Sequence, residues 1–289
     1  MCRFVAYLGR PLILDEVLFQ PKNSLVNQSV HAREMQGDEP LNGDGFGLGW
    51  YNPEINDEPA LFTSIHPAWN DRNLRYITPK IISNCFMAHI RAASQGGVSQ
   101  FNCHPFHHHR FLFMHNGNVG GFIKLKRHIR HTLSDDIYDW VKGQTDSEHI
   151  AALFLQNFYQ DKKHFLVTDI AETLVKSFKQ LLHIRDKYGS KEPCSLNYVI
   201  TDGRTLVATR YTTSSKKDVS TLYYSHGDHF TCEEGVGHIV KSTGPTAAVL
   251  VASEKLDRHK SDWHEIPVNH MLLVNEDLQT DIQPIKISV

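Results

Sequence analysis

The sequence predicts an α+β protein with two β-sheets and with helices between or outside them. Short apolar runs between turn residues indicate strands in the first and last parts of the chain, whereas helical patterns occupy the middle. Strands and helices do not alternate, and alternation would predict βαβ units in a doubly wound parallel sheet. The 289 residues contain no repeat and no evident linker, so we expect one domain over residues 2–289.

Four strands are predicted in the first part of the chain. Each is an apolar run between turn residues, which is typical of a buried strand. They cover Arg3–Leu8, Phe46–Trp50, Phe86–Arg91 and Phe111–His115. The Asn-, Asp- and Pro-containing stretch Asn52–Asn73 is predicted to be a long loop.

Two helices are predicted in the middle of the chain. The sequence Thr145-Asp146-Ser147-Glu148 has the Ser/Thr-x-x-Glu form of a capping box, which marks a helix start. Apolar residues then recur every four positions at Ile150, Phe154 and Phe158, and again from Ile170 to Leu182. This spacing places the apolar residues of each helix on one face.

Strands return after Pro193. The turn Asp202-Gly203 predicts a hairpin between two of them. The predicted strands are Leu196–Thr201, Leu206–Arg210, Leu222–Tyr224, Ala247–Ala252, Met271–Val274 and Ile282–Ile287. Thr213–Ser220 is predicted to be a mobile surface loop.

Composition and charge argue against several classes of protein. The chain is 40% hydrophobic and 21% charged with a net charge of −2, and it lacks the basic runs that nucleic acid or an anionic membrane would require. Its longest apolar stretches are strand-sized, and no secretory signal is visible, so a cytoplasmic location is expected. The five cysteines are widely spaced without a CxxC pair, which argues against a disulfide framework and against zinc.

Cys2 is the candidate nucleophile. A small residue at position 2 permits removal of Met1, which would leave a free α-amine beside the thiol. An α-amine has a pKa of roughly 8 and can serve as general base near neutral pH. The alternative is that Cys2 is a small hydrophobic residue at the start of a strand.

Asn116 and Gly117 are candidate oxyanion-binding residues. Acyl transfer needs hydrogen-bond donors aimed at the oxyanion of the tetrahedral intermediate. The side-chain amide of Asn116 and the backbone N–H of Gly117, at the end of a strand, offer such a pair. The alternative is an Asn-Gly hairpin turn without a catalytic role.

Arg91 and Asp146 are candidate substrate-binding residues of opposite charge. The planar fork of an arginine can hold a carboxylate with two hydrogen bonds, and an aspartate can hold an ammonium group. Together they would form a pocket for the α-amino acid end of a ligand. The alternative for Asp146 is helix capping, because it lies in the first turn of a predicted helix.

Two further motifs invite a ligand-binding interpretation. The glycines of Leu41–Trp50 do not match nucleotide-binding spacing and instead predict close backbone packing, with Cys2 as a candidate neighbour. The histidines between His104 and His115 suggest a metal, but His107-His108-His109 are consecutive and cannot all point one way. We therefore predict a solvated loop tip, with no metal and no cofactor.

The ordered set of motifs Met1-Cys2-Arg3, NGDGFGLGWY, HIRAAS, NCHPF, HNG and TDSE resembles the class II glutamine amidotransferases. The resemblance is close over roughly the first 160 residues and is visible again in Asn197–Arg210 and Ala252–Leu256. It implies the fold of the N-terminal-nucleophile hydrolases, an αββα four-layer sandwich of two mainly antiparallel sheets. Ala92 stands where many sugar-aminating members carry Trp, which looks more like the stand-alone subgroup.

The resemblance also implies a role for seven residues in cleavage of the γ-amide of glutamine or of a γ-glutamyl compound. The stand-alone subgroup includes the ergothioneine-pathway γ-glutamyl amidase and the glutathione-degrading amidotransferase subunit. Carried over, the roles are nucleophile for Cys2, oxyanion hole for Asn116 and Gly117, α-carboxylate binding for Arg91, α-amine binding for Asp146, and pocket lining for Ser94 and His104.

Three functions remain open at this point. The first is an amidohydrolase acting on a small γ-glutamyl substrate. The second is a subunit that is active only with a partner chain, since the sandwich would use nearly all of the sequence and leave acceptor chemistry to another chain. The third is a non-catalytic metal-binding protein built on the histidines.

Overall fold

The computed structural model describes residues 2–34, 41–93, 95–188, 191–215, 219–241, 243–257 and 262–287. Within these ranges the chain forms fifteen strands and seven α-helices, joined by turns and short 3-10 segments. The strands are β1 Arg3–Ile13, β2 Phe46–Trp50, β3 Ala60–Ser64, β4 Ile82–Ile90, β5 Phe106–His108, β6 Phe111–Asn118, β7 Ser195–Thr201, β8 Leu206–Thr212, β9 Tyr223–Gly227, β10 Phe230–Glu233, β11 Val236–Ile239, β12 Ala248–Ala252, β13 His264–Glu265, β14 His270–Val274 and β15 Thr280–Pro284. The helices are α1 Leu14–Leu18, α2 Leu25–Val30, α3 Arg72–Ile77, α4 Phe122–Arg130, α5 Asp135–Trp140, α6 Asp146–Gln160 and α7 Val167–Lys187.

Two antiparallel sheets carry the structure. In the described residues, the first sheet has seven strands in the order β13-β9-β12-β1-β4-β2-β3, which puts β1 in the middle. The second has six strands in the order β15-β14-β8-β7-β6-β5. Strands β10 and β11 form a separate hairpin. The start of β1 therefore lies in the interior of a sheet rather than at its edge.

The two sheets pack face to face. Alternate residues of β1 and β4, such as Phe4 and Met87, share one buried cluster with Met114, Val199 and Leu272 of the second sheet. All five side chains are fully buried. This cluster is the inner layer of the core.

Helices cover the outer face of each sheet. Residues of α1 and α2 pack with Val5 and Phe86 on the outside of the first sheet. Residues of α6 and α7, including Phe154 and Phe178, pack with Tyr198 on the outside of the second. The layers are therefore helix, sheet, sheet, helix, and the predicted αββα sandwich is confirmed.

The local turn and cap predictions are confirmed. Gly203 has φ of +88°, and Asp202 accepts the backbone N–H groups of residues 204 and 205, which fixes the hairpin between β7 and β8. The hydroxyl of Thr145 accepts the backbone N–H of Glu148, so Thr145 caps α6. The prediction for Thr213–Ser220 stays open, because residues 216–218 lie outside the described residues.

The predicted loop Asn52–Asn73 was wrong in part. It contains β3, which pairs with β2 from Ala60 to Ser64 and closes the sheet at that side. A strand at a sheet edge keeps one row of backbone groups exposed and need not be strongly apolar, so its sequence signal is weak. The short helices α1 to α5 were also not predicted, since a helix of five to nine residues shows too few turns for a clear period.

Within the described residues, no helix combines the length and the apolar character needed to cross a membrane.

Candidate active site

Cys2 lies at the entrance to the central strand of the first sheet. It directly precedes β1, whose first residue Arg3 pairs with Ile90 of β4. The Sγ atom of Cys2 is 3.4 Å from both the N and the O atom of Ala92, which follows β4. Burial raises the pKa of the thiol, an effect opposed by the Ala92 N–H and the positive charge of Arg91. The side chain is therefore mainly a thiol at neutral pH, and it needs a base to become a nucleophile.

A buried ion pair holds the backbone of Cys2. The Nε atom of Arg3 is 2.7 Å from Oε1 of Glu254, and Nη1 of Arg3 donates to the carbonyl oxygen of Cys2 at 2.9 Å. Glu254 also accepts the backbone N–H groups of Arg33 and Glu34, each at 3.0 Å. Sequence reasoning assigned no role to this pair, although Glu254 lies in one of the family-like motifs. The two residues are 251 positions apart, so only the fold reveals that they meet.

Asn116 and Gly117 lie inside β6, so the hairpin-turn alternative for them was wrong. They pair with Asn197 and Leu196 of β7. Asn116 is 1% exposed, and neither of its side-chain amide atoms has a hydrogen-bond partner among the described residues. A methyl group on Gly117 would overlap the backbone carbonyl of Ser195, which restricts this position to glycine. The result is a rigid backbone with a buried amide free to bind a ligand.

A histidine contact joins β4, the neighbour of β1, to β6, which carries Asn116. His89, on β4, donates from Nε2 to the carbonyl oxygen of His115 at 3.3 Å. His115 in turn donates from Nε2 to the carbonyl oxygen of Ser195 at 3.1 Å and accepts from the Ser147 hydroxyl at 2.8 Å. Burial lowers the pKa of both rings, to about 3 for His89. Both are neutral scaffold groups, and they fix β4, β6 and α6 relative to one another.

Asp146 is the first residue of α6 and points toward the end of β6. Its Oδ2 accepts the backbone N–H of Val119 at 2.7 Å, and its Oδ1 accepts that of Ser147 at 2.9 Å. Asp146 is 5% exposed and forms no ion pair within the described part of the chain. Each oxygen still has a lone pair for a further donor. The residue that caps α6 is Thr145 and not Asp146. The carboxylate of Asp146 can therefore bind a ligand.

Arg91 is a buried cation that follows β4. Arg91 is 2% exposed, and its guanidinium donates to the carbonyl oxygens of residues 95–97 at 3.0–3.3 Å. In the described ranges it has no carboxylate partner. Asp44 accepts the backbone N–H of Ala93 at 2.7 Å and so holds the start of the same loop. Arg91 therefore sits beside Cys2 as a fixed positive charge.

The unpaired charges of Arg91 and Asp146 are the most informative feature of the site. A buried charge costs several kcal/mol of free energy, and hydrogen bonds to neutral groups alone offset this cost less fully than an opposite charge with hydrogen bonds does. Both residues retain only dipolar partners among the described residues. A ligand with one carboxylate and one ammonium group would satisfy both.

The remaining predicted site residues have different outcomes. Ser94 lies outside the described residues. His104 is buried, with its ring 4.2 Å from that of His89 and 4.6 Å from that of Phe106, and burial lowers its pKa well below the usual value. His104 therefore packs against His89. That His104 lines the substrate pocket stays a prediction.

The glycines of β2 confirm the predicted close packing but not the predicted neighbour. A methyl group on Gly47 would overlap the carbonyl oxygen of His104. One on Gly49 would lie 2.7 Å from Leu112 and 2.9 Å from Pro105. The prediction of Cys2 as the neighbour was wrong, because the second sheet and the segment leading into it cross β2 at this point.

The consecutive histidines form part of the hairpin between β5 and β6. His108 Nδ1 is 3.2 Å from the Tyr159 hydroxyl, and His109 Nδ1 is 3.4 Å from a carboxylate oxygen of Glu58. Across the described ranges, no group of three His, Cys, Asp or Glu side chains has the arrangement of a metal site. Their contacts are those of a surface turn, in which His109 has φ of +49°.

Comparison with known proteins gives a consistent family. The family model described as glutamine amidotransferases class-II matches residues 23–283. The probable glutamine amidotransferase DUG3 of Saccharomyces cerevisiae is 34% identical over 96% of this chain and 82% of its own length. The gamma-glutamyl-hercynylcysteine sulfoxide hydrolase of Mycolicibacterium smegmatis is 32% identical over 41% of this chain and 52% of its own length.

Solved structures with the same fold have lower sequence identity. A glutamine aminotransferase class-II domain protein from Silicibacter pomeroyi aligns over 98% of this chain and 99% of its own, with a TM-score of 0.66 and 24% identity. The glutamine phosphoribosylpyrophosphate amidotransferase of B. subtilis aligns over 99% of this chain and 50% of its own, with a TM-score of 0.61 and 14% identity. At these identities the structures establish the fold alone.

Proposed function

The chain belongs to the class II glutamine amidotransferases and is an amide-hydrolysing enzyme, and from this premise we propose that it cleaves the γ-amide of a γ-glutamyl compound with Cys2 as nucleophile. The observation that carries the proposal is the pair of buried charges without an ion-pair partner among the described residues: Arg91 beside Cys2, and Asp146 at the end of β6, the strand that carries Asn116. A γ-glutamyl group has an α-carboxylate, an α-ammonium and an amide at the end of a short chain. The hydrolase from M. smegmatis is named for a γ-glutamyl compound, which supports the same substrate class.

The first half of the reaction forms a thioester. Removal of Met1 frees the α-amine of Cys2, which takes the proton of the thiol. The sulfur then bonds to the carbonyl carbon of the γ-amide, and the carbonyl oxygen takes the negative charge. The side-chain amide of Asn116 and the N–H of Gly117 stabilise this oxyanion. When the intermediate collapses, the C–N bond breaks and the α-ammonium gives its proton to the leaving nitrogen.

The second half returns the enzyme to its starting state. Water attacks the carbonyl carbon of the thioester while the α-amine takes a proton from it, and the same two donors stabilise the second oxyanion. Collapse breaks the C–S bond, and the proton on the amine returns to the sulfur. The products are glutamate and ammonia or a larger amine, and no cofactor is consumed.

Substrate recognition rests on the two buried charges. Arg91 would hold the α-carboxylate and Asp146 the α-ammonium, each replacing a missing counterion. Removing one charge from the substrate leaves its buried protein partner unpaired, which costs about 2–5 kcal/mol by analogy with buried charge pairs at interfaces. The leaving group lies on the other side of the scissile bond and makes neither of these contacts.

We therefore predict strict dependence on both substrate charges. Compared with glutamine, glutaramide should lose at least about 2–5 kcal/mol of transition-state binding, the cost of one unpaired charge, because it carries neither the α-carboxylate nor the α-ammonium charge. Asparagine, with the charges in place but the amide one methylene nearer, should also be a poor substrate. Steady-state kcat/KM for these compounds, for γ-glutamyl anilide and for γ-glutamyl peptides measures the effect. Comparable rates for glutaramide and the γ-glutamyl compounds would overturn the Arg91–Asp146 clamp.

The same measurement separates an independent hydrolase from a partner-dependent subunit. Larger leaving groups distinguish these functions because a hydrolase for γ-glutamyl peptides needs no acceptor on another chain. If γ-glutamyl peptides far outperform glutamine, the chain is a dedicated γ-glutamyl hydrolase. If every substrate turns over only after addition of a second chain, the partner-dependent function is correct.

Replacing Asn116 with Ala is expected to lower kcat by about 10²–10³ with little change in KM, which is the usual effect of a lost oxyanion donor. The control is Asn157→Ala, which removes an equally buried amide between α6 and α7, where Asn157 donates to Ser177 and Gln180 at 3.0 Å. Steady-state kinetics of both variants give the comparison. An effect of Asn116→Ala confined to KM would instead make Asn116 a ground-state binding residue.

A further inference from the structure

A second buried asparagine lies beside Asn116 on the inner face of the second sheet. Asn197, on β7, is directly opposite Asn116 on one side and opposite Arg210 of β8 on the other. Side chains of directly opposed residues in antiparallel strands lie on the same face, with Cβ atoms about 4.5–5.5 Å apart. Asn197 has no exposed surface, and its Oδ1 has no hydrogen-bond partner among the described residues. The two neighbouring amides do not satisfy each other.

The contacts of Asn197 fix which way its amide points. Its Nδ2 donates to the carbonyl oxygens of Ser220 at 3.3 Å and Thr221 at 3.1 Å. Because both partners are acceptors, the nitrogen must face them and the oxygen must face away. Asn197 can therefore offer only an acceptor to a further group. That group must carry an N–H or O–H.

A chain of hydrogen bonds connects Asn197 to the strand of the nucleophile. The hydroxyl of Thr221 donates to the carbonyl oxygen of Ser253 at 2.9 Å. The hydroxyl of Ser253 accepts the backbone N–H of Phe4 at 3.2 Å, and its backbone N–H donates to the Phe4 carbonyl at 3.1 Å. Phe4 is two residues from Cys2 and faces the inner layer of the core. Asn197 is thus tied to the start of β1 across the gap between the sheets.

We propose that Asn197 is a positioning residue that accepts a hydrogen bond from the α-amine of Cys2 through Oδ1. This inference rests on the proposed function, in which that amine is the general base. Three other donors at this end of the sheets have different assignments. The side-chain nitrogen of Asn116 is assigned to the oxyanion and the substrate ammonium to Asp146, and Arg3 bonds Glu254 on the opposite face of β1 from Phe4. The amine of Cys2 is then the donor left for Oδ1 of Asn197. An amine held by one N–H keeps its lone pair in a fixed direction, toward the thiol proton, in the way that a third group orients the base in other nucleophile–base pairs.

Other ionisable groups surround this end of the sheets, and their titration must be separated from that of the amine. They are Arg3 on β1, His89 and Arg91 at the end of β4, Cys103 and His104 before β5, His115 on β6, Asp146 on α6, Arg210 on β8 and Glu254 after β12. Burial lowers the pKa of His89, His104 and His115, and raises that of Cys103 to about 11. The three rings stay neutral between pH 7 and 9, where a free α-amine with a pKa of roughly 8 titrates.

The test is the pH profile of kcat/KM for Asn197→Asp and Asn197→Ala with glutamine as substrate. A carboxylate beside the amine favours the ammonium form and raises the pKa of the amine. The acidic limb of the profile, where kcat/KM rises as the amine loses its proton, should therefore move to higher pH by at least one unit in Asn197→Asp. At pH 7 that shift is a loss of about tenfold, with recovery toward wild type above pH 9. Asn197→Ala removes the acceptor, so kcat should fall at an unchanged KM and the limb should move slightly down.

The control is Asn157→Asp, the same change at an equally buried amide between α6 and α7. Asn157→Asp should leave the acidic limb of the pH profile at its wild-type position. A merely structural role for Asn197 would lower activity at every pH without moving the limb. Alkylation of Cys2 by iodoacetamide as a function of pH, assigned to Cys2 by mass spectrometry of its peptide, gives a second measurement that needs no turnover.

Opposite shifts in Asn197→Asp and Asn197→Ala support the inference. An unmoved limb in both variants, with activity still abolished by Cys2→Ala, overturns the role of Asn197 and leaves the proposed function standing. Retained turnover in Cys2→Ala overturns the proposed function and the inference together.

Discussion

Replacing Cys2 with Ala is expected to lower kcat by at least about 10⁴-fold while the dissociation constant for glutamine changes little. The thiol is the only group of Cys2 that can form the acyl-enzyme, and losses of this size follow removal of a nucleophile from other acyl-transfer enzymes. Binding should survive because the substrate contacts proposed for Arg91 and Asp146, to the α-carboxylate and the α-ammonium, do not involve the sulfur atom. The central strand is also little disturbed, since Arg3 contacts the carbonyl of Cys2 and not its side chain.

Two other cysteines supply matched controls. Cys232→Ala removes a half-buried thiol from β10, outside both large sheets, and Cys103→Ala removes a buried one near Arg91. Neither should lower kcat by more than about tenfold if Cys2 is the nucleophile, because neither thiol forms the acyl-enzyme. Calorimetric titration with glutamine measures binding, and release of glutamate measures turnover. Turnover near the wild-type rate in Cys2→Ala would remove the central claim.

Several candidate site residues could be selected from the sequence because they stand in or next to elements with strong local patterns. Arg91 follows the apolar run of β4, and Asn116 lies in β6 two residues after the apolar run that ends at Met114. Asp146 follows a capping threonine at the start of an amphipathic helix. Strand period and helix caps are local properties of the chain, so a sequence alone can express them. That these three ends meet was known only through the resemblance to a family.

The parts that could not be predicted depend on contacts between distant segments. Nothing local to Glu254 indicates that it pairs with Arg3 at the opposite end of the chain. Asn197 reads as an ordinary polar position in a strand until the register puts it opposite Asn116. The prediction that Cys2 neighbours the β2 glycines was wrong for the same reason. The residues that contact these glycines belong to the second sheet and to the segment that leads into it. Register and layer order are set by the packing of the whole domain.

An N-terminal extension that keeps Cys2 internal is expected to be nearly as damaging as Cys2→Ala, although it removes no side chain. The nitrogen of Cys2 would then belong to an amide, which cannot accept the thiol proton as a free amine can. Burial raises the pKa of this thiol, so little thiolate forms without a base. We expect activity to fall by about 10⁴-fold, the upper end of the range for general base catalysis.

The extension also separates the two requirements of the mechanism, the sulfur and the free amine. An uncleaved N-terminal peptide should abolish glutamate release, and the same peptide added after Val289 should not. A protease site placed directly before Cys2 allows the amine to be freed in the folded protein, and activity should return as intact mass shows the peptide leaving. Wild-type protein should likewise be lighter than its full sequence by one methionine. Full activity in protein whose mass shows the extension still attached would mean that another group takes the thiol proton. The buried histidines are poor substitutes, because His89 and His115 have lowered pKa values and are committed to the carbonyl oxygens of residues 115 and 195.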